Sequence, residues 1–316
     1  MTPLVTAAAA VPTVRIRFEH CAEYDTYLPA TTSSKIRGAL GWALKALAAR
    51  RDRGQQDYYR RALRSREAVA RRDLTGLARE TTLHLAPYVL RVPWGPQRVG
   101  PDTPLRWEMV LFPPAADYWP AWVQAADVLD IGGTPTTCAG ADVRTVWGWE
   151  PADQWFPEPE EAIASLGMVA GPRLPETNAV RVHLLSPTCW DPETNFDSRA
   201  PVCPAALVRA LHRRVSLVAD APLDPEERNL RDRVIPGAVQ LRNAALLSAT
   251  AWHYSRQRGR DEPTKYGGLL GSLDLVAQAG SSLHRSLLDL LWLVQAAHLG
   301  GECTFGCGAI EVEPLE

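Results

Sequence analysis

The sequence predicts an α+β protein made of two ferredoxin-like units in tandem, each with the order βαββαβ. Three observations carry that expectation. The order strand, helix, strand, strand, helix, strand can be read twice along the chain. The length, 316 residues, suits two domains of ordinary size. A stretch dense in proline and acid, Pro151 to Pro175, separates the two readings. The expected division is a flexible N-terminal tail over residues 1–12, a first unit over 13–150, a linker over 151–178 and a second unit over 179–316.

Each element has a local reason. From Thr13 to His20, Val14, Ile16 and Phe18 alternate with Arg15, Arg17 and Glu19, the period of a strand with one buried face. Ser33 or Ser34 is the expected N-cap of a helix whose apolar stripe runs through Ile36, Leu40, Leu44 and Leu47. Tyr88 to Val92 and Leu105 to Phe112 read as strands around a turn rich in glycine and proline. Asp117 to Leu129 is expected to be helical and Val143 to Trp149 to be the last strand of the first unit. The second unit repeats the order. Val180 to Leu185 is a strand and Pro204 to Val218 a helix; Ala238 to Tyr254 and Tyr266 to Leu275 are a strand pair. Ser282 to His298 is a second helix and Phe305 to Val312 a closing strand.

Composition narrows the class. No run of about 18 apolar residues exists, so no membrane span is expected. The six cysteines are scattered without a C-x-x-C pair, which suits a reduced, cytoplasmic protein. Cys303 and Cys307 have no second pair of donors beside them, so no metal and no other cofactor is expected. Net charge is −2, yet only Lys35, Lys45 and Lys265 of the 34 basic residues are lysines. Arginine forks pair bidentately with phosphate and stack on bases. From Arg50 to Glu80, ten arginines face five acids; that segment suits either an RNA flank, a neighbouring subunit or a solvated face.

Three motifs add a resemblance. Lys35-Ile36-Arg37-Gly38-Ala39-Leu40-Gly41 is similar to an "LRGALG" helix start. Tyr254-Ser255-Arg256-Gln257 with Lys265-Tyr266-Gly267-Gly268-Leu269-Leu270-Gly271 is similar to a "YSSRQ…KLGGLVG" hairpin. His298-Leu299-Gly300-Gly301-Glu302-Cys303-Thr304-Phe305-Gly306-Cys307-Gly308 is similar to an "HVGKGTTFGLG" loop. In order and spacing these resemble the CRISPR-associated RAMP superfamily of repeat-RNA endonucleases. The resemblance implies RRM-like domains, an RNA-binding C-terminal unit, and precursor and mature crRNA, through its repeat stem-loop, as partner. Other CRISPR effector subunits are implied partners too. RNA-binding candidates are Arg37, Ser255, Arg256, Gln257, Arg258, Arg260, Lys265 and the loop glycines Gly300, Gly301, Gly306 and Gly308. Glycines allow main-chain N–H groups to approach a phosphate closely. Gly301-Glu302 departs from the family's lysine and glycine, and a carboxylate there repels phosphate.

The resemblance also implies metal-independent cleavage. A 2′-hydroxyl attacks its own 3′-phosphate, leaving a 2′,3′-cyclic phosphate and a 5′-hydroxyl. Such chemistry needs a base, a cation for the phosphorane and an acid for the leaving oxygen. His20 ends the first strand, Tyr27 and Lys35 follow it, and His298 precedes the glycine loop; these four are the catalytic candidates. The alternative is a RAMP subunit that binds crRNA within an effector complex without cutting it. A scaffold of tandem domains without RNA is a third reading, opposed by the basic turn Arg256 to Lys265.

Overall fold

The structure, a computed structural model, describes residues 1–49, 66–68, 83–85, 88–144, 163–190, 202–253, 264–278, 281–301 and 303–315. It opens with a helix, α1 (Pro3–Ala9), where a flexible tail was expected. Proline in its first turn and an alanine run favour the helix. Leu4, Val5 and Ala8 are buried, and the Leu4 amide donates to Glu227 Oε1 at 2.8 Å. The expectation of a free tail is therefore corrected: one turn-and-a-half of apolar face has found a partner.

Strand β1 (Pro12–Ala22) keeps the predicted alternation. A short β2 (Thr26–Leu28) leads into α2 (Thr32–Ala49), which starts at Thr32, so Ser33 and Ser34 lie in its first turn rather than capping it. Strands β3 (Arg66–Ala68) and β4 (Leu83–Leu85) pair with each other. Next come β5 (Tyr88–Arg91), β6 (Gln97–Val99), which pairs with β2, and β7 (Leu105–Leu111). Helix α3 (Trp119–Ala126), β8 (Val128–Asp130) and β9 (Pro135–Arg144) complete the first half. The last strand thus begins eight residues before the expected Val143. Its Thr136, Thr137 and Ala139 lack the large apolar alternation that marks a strand, and residues 145–149 of the expected strand lie outside the described residues.

The first sheet has the order β5-β7-β1-β9-β8, antiparallel throughout. Without the short β8 this is the ferredoxin-like arrangement, with α2 and α3 over one face. Ile16, Phe18, Leu40, Trp107, Met109 and Trp122 form that core. Part of the expected linker is tied down. Strand β10 (Ala164–Ser165) pairs with the start of β1, and α4 (Leu166–Val169) buries Leu166 and Val169.

The second half repeats the plan. Strand β11 (Ala179–Thr188) is followed by α5 (Pro204–Ala219), α6 (Pro225–Asn229) with an Asp224/Glu227 capping box, and α7 (Ile235–Ala238). The long hairpin β12 (Val239–His253) and β13 (Thr264–Ala277) precedes α8 (Arg285–Ala297) and β14 (Ile310–Pro314). The sheet order is β12-β13-β11-β14, the same as in the first half. The expected start of the closing strand, Phe305, belongs instead to a 3-10 turn, Cys303–Phe305. Among the described residues no helix is long and apolar enough to cross a membrane.

The halves share apolar surface. Val89, Val110 and Phe112, on the outer face of the first sheet, join the core built around α5 and α8. Helix α1 packs against the same two helices. The outer face is therefore divided, with an apolar end under the second half and a charged end left open.

Candidate active site and nucleic-acid interface

The glycine-rich loop after α8 is a joint between the halves. Its left-handed turns at Gly300, Gly306 and Gly308 have φ of 85°, 79° and 80°. The amides donate inward: Gly301 N to Cys189 O at 3.0 Å, Gly308 N to Pro187 O at 3.0 Å and Gly306 N to Cys303 O at 3.1 Å. Ser33 Oγ donates to Phe305 O at 2.5 Å. A Cβ on Gly306 would stand 2.6 Å from Ser33 Cβ. The Arg37 guanidinium lies over the Phe305 ring, 4.4 Å from its centroid, and its Nε is buried without a hydrogen-bond partner. The loop amides were expected to cradle phosphate. That expectation is corrected at Gly301, Gly306 and Gly308, whose N–H groups already serve protein carbonyls. Glycine is needed at Gly308 for close packing against the Leu299 backbone and at Gly306 by the neighbouring Ser33 side chain, while Gly301 has open space around it.

His20 and His298, the two catalytic histidine candidates, both sit in the interior. His20 is fully buried; its Nε2 donates to Ala126 O at 2.7 Å, and its Nδ1 accepts from Trp107 Nε1 at 3.0 Å. Burial lowers its pKa, against the opposing pull of the Ala126 carbonyl and Asp127. His298 is 1% exposed and donates from Nδ1 to Cys307 O at 3.0 Å. Burial pushes its pKa down to about 3, the Cys307 carbonyl opposing. Both rings are thus enclosed, with hydrogen bonds to Ala126, Trp107 and Cys307, an arrangement that suits a structural role. Sequence shows a histidine at a strand end; it does not show the tryptophan that covers it.

Tyr27 and Lys35 are placed differently. Tyr27 is 75% exposed on β2, and Lys35 is exposed in the first turn of α2. The Lys35 methylenes run beside Gly132 in the β8–β9 turn, where a Cβ would be 3.4 Å from Lys35 Cγ. The loop docked on Ser33 thus sets Phe305 against the first two turns of α2, which also carry Lys35. Ser255, Arg256, Gln257, Arg258 and Arg260 lie outside the described residues. Lys265 pairs with Trp252 near the outer end of the β12–β13 hairpin. The close approach at Gly268 is to protein: a Cβ there would be 2.4 Å from the Thr188 carbonyl.

Sequence reasoning missed an arginine cleft of about 660 Å³. It is walled by Arg15, Arg17, Arg91, Arg106 and Glu108 from the open end of the first sheet, and by Leu185 and Ala309 from the second half. The available signal was the polar side of the β1 alternation, Arg15 and Arg17, to which no role was assigned. Glu108 is held by Arg15 (Nη2 at 2.7 Å), Arg17 (Nε at 3.2 Å) and Arg91 (Nη1 at 3.6 Å). Burial would raise its pKa, but Arg15, Arg91 and Arg17 together hold it below the ordinary carboxylate range. Trp94 lines the cleft and also packs against Cys307 of the glycine loop, so the loop reaches the edge of the cleft.

Comparison with known proteins follows the same division. A family described as "CRISPR-associated endoribonuclease Cas6" matches residues 182–310, and one described only as an N-terminal domain matches residues 11–167. No curated protein matches the chain. Among solved structures, Thermus thermophilus Cas6 (TTHB231) is similar with a TM-score of 0.53 at 16% identity, over 97% of this chain and 100% of that one. A Cas6 (TTHB231) product complex gives 0.52 at 17% identity, over 96% and 100%. A partial Cas6-RT-Cas1–Cas2 complex gives 0.53 at 9% identity, over 97% of this chain and 47% of that one. These likenesses place the fold among tandem ferredoxin-like proteins of this kind.

Proposed function

Because the chain belongs, through residues 182–310, to the CRISPR-associated Cas6 endoribonuclease family, we propose that it binds the repeat of precursor crRNA and cuts it without metal. The observation that carries this reading is the glycine loop locked onto the first turn of α2, where Ser33 Oγ donates to Phe305 O and Arg37 covers the Phe305 ring, with Lys35 exposed in that same turn. In this reading residues 13–150 and 179–316 act as two units joined by 151–178. The basic segment Arg256 to Lys265, which follows β12 in the chain, runs along the phosphates of the repeat stem in this reading. The cleft and its arginines hold RNA next to the stem.

The chemistry is internal transfer. The 2′-oxygen forms a bond to phosphorus as its proton leaves, and the P–O5′ bond breaks as the leaving oxygen takes a proton. Lys35 supplies positive charge to the phosphorane, and the Tyr27 hydroxyl hydrogen-bonds a reacting oxygen. The products are a 2′,3′-cyclic phosphate and a 5′-hydroxyl. The protein would work in the cytoplasm, with other CRISPR proteins as partners; the solved complex of Cas6 with reverse transcriptase, Cas1 and Cas2 is one assembly of that kind.

One observation favours the second reading, a subunit that binds crRNA without cutting it. Both histidines expected to do proton transfer are in the core. A single experiment separates the readings: cognate repeat RNA is incubated with the protein in EDTA, and the ends are analysed. Cleavage with a cyclic-phosphate end is expected, lost about 100-fold or more in Lys35→Ala with binding kept. Tight binding with no cleavage by the unaltered protein would establish the second reading. Absence of salt-sensitive RNA binding would overturn both.

A further inference from the structure

Helix α2 carries more on its exposed side than the cleavage reading uses. Lys35, Gly38, Trp42 and Lys45 stand at i, i+3, i+7 and i+10, which sets them in one stripe along about 15 Å of helix. Lys35, Trp42 and Lys45 are exposed, and the two lysines are two of only three in the chain. The helix contains no acidic residue. Trp42 is 63% exposed, the one tryptophan among the exposed large apolar side chains of the described residues. An indole left in water forgoes the burial that usually holds it. Its ring already has one partner, the Lys45 ammonium, 5.3 Å from the ring centroid, a cation–π contact that favours a single orientation. The glycines beside it are a separate observation. A Cβ on Gly38 or Gly41 would meet nothing within 4 Å, and neither has a left-handed φ, so neither packing nor backbone conformation asks for glycine. Glycine in a helix interior is less stable than alanine. What the two residues preserve is a bare stretch of helix next to the indole, low enough for another chain to lie on.

We infer that this face of α2 is a track for the unpaired RNA strand on the far side of the scissile phosphate from the stem: a base stacks on Trp42, its backbone crosses Gly38 and Gly41, and Lys45 meets a phosphate. The inference names a substrate segment for the RNA-cutting reading above and rests on it. A stacking platform edged with cations takes any base, because every base has a π-face. The strand is therefore selected for being unpaired, not for its sequence. Paired RNA keeps its bases in the duplex stack and has none to lay on the indole. A strand pinned at Trp42, seven residues along the helix from Lys35, has less freedom to carry the scissile phosphate away from that lysine.

The test uses the full chain and two labelled RNAs, with binding read by fluorescence anisotropy. Both carry the repeat stem and a 2′-deoxy sugar at the cut site, which removes the attacking hydroxyl. One ends at that site, and the other continues beyond it as unpaired strand. Trp42→Ala is expected to weaken binding of the longer RNA about tenfold and to leave the shorter one unchanged. Trp42→Phe should recover most of that loss. Gly38→Leu gives a result that a structural role would not: a protein that melts no lower than its parent, since leucine is the better helix former, yet holds the longer RNA about threefold less tightly or worse. Equal affinity of the unaltered and Trp42→Ala proteins for the longer RNA overturns the inference and leaves the face to a protein partner. An equal loss on both RNAs overturns it too, because the effect then lies with the stem. Should Trp42→Ala fail to fold, Gly38→Leu decides, and an unchanged affinity for the longer RNA overturns the inference. If the unaltered protein binds neither RNA, the RNA-binding reading beneath it falls instead.

Discussion

At the scale of single residues, the histidines carry the sharpest lesson. Their positions, at a strand end and before a glycine loop, were legible in the sequence and pointed to proton transfer. Their burial was not, because it depends on Trp107, which is 87 residues from His20, and on a carbonyl nine residues from His298. His20→Ala is expected to cost about 2–3 kcal/mol of stability, through a cavity and an orphaned indole N–H. Cleavage per folded molecule should hold; a variant with unchanged melting but lost cleavage would return His20 to the chemistry. The buried histidines also set a pH response. In the fold His298 titrates near 3 and His212 near 4, against about 6.5 when unfolded. Above pH 6.5 both states are neutral and stability is flat on their account. Below it the unfolded chain takes up protons that the native state refuses, so stability falls from about pH 6.5 toward 4. Thermal melts from pH 8 to pH 5 should show that decline.

At the scale of elements, the alternation in β1 and the apolar stripes of α5 and α8 were read correctly because each buries one face. Strand β9 escaped because its threonines and alanine carry too little apolar contrast. Helix α1 escaped because seven residues alone do not sustain a helix in water, and its partners lie some two hundred residues away. The glycine loop shows what a motif can and cannot tell. Its spacing identified the fold, while its amides turned out to be committed to Cys189, Pro187 and Cys303. Two glycines one turn apart therefore separate by role. Gly306→Ala must displace Ser33 and strain a φ of 79°, and a loss of about 2 kcal/mol or more is expected. Gly301→Ala meets nothing within 4 Å and should melt within a degree or two of the parent. Equal melting temperatures for the two variants would contradict the packing role.

At the scale of the whole molecule, the tandem architecture was legible from element order, but the coupling between halves was not. The first sheet spends its outer face twice. Val89, Val110 and Phe112 are covered by the second half, while the arginine end stays open. Alternation alone shows that a residue faces outward, and says nothing of what then covers it. Removal of residues 1–10 tests this coupling from the other side. It uncovers the surface that Leu4, Val5 and Ala8 close on α5 and α8 and leaves Glu227 without the Leu4 amide. A loss of about 3–5 kcal/mol is expected from the apolar burial, read as a lower denaturation midpoint. An unchanged midpoint would mean that α1 contributes nothing to stability.

That same helix has a consequence for biogenesis. Helix α1 is made long before the helix it closes against. Helix α1 meets α8 only after residues 285–297 have been translated. At about 5–20 residues per second, the wait is roughly 15–60 s. During it seven residues that do not sustain a helix alone have nothing to pack on. The nascent chain must therefore keep α1 available until α8 arrives, and a bulky group joined just ahead of α1 would burden that closure.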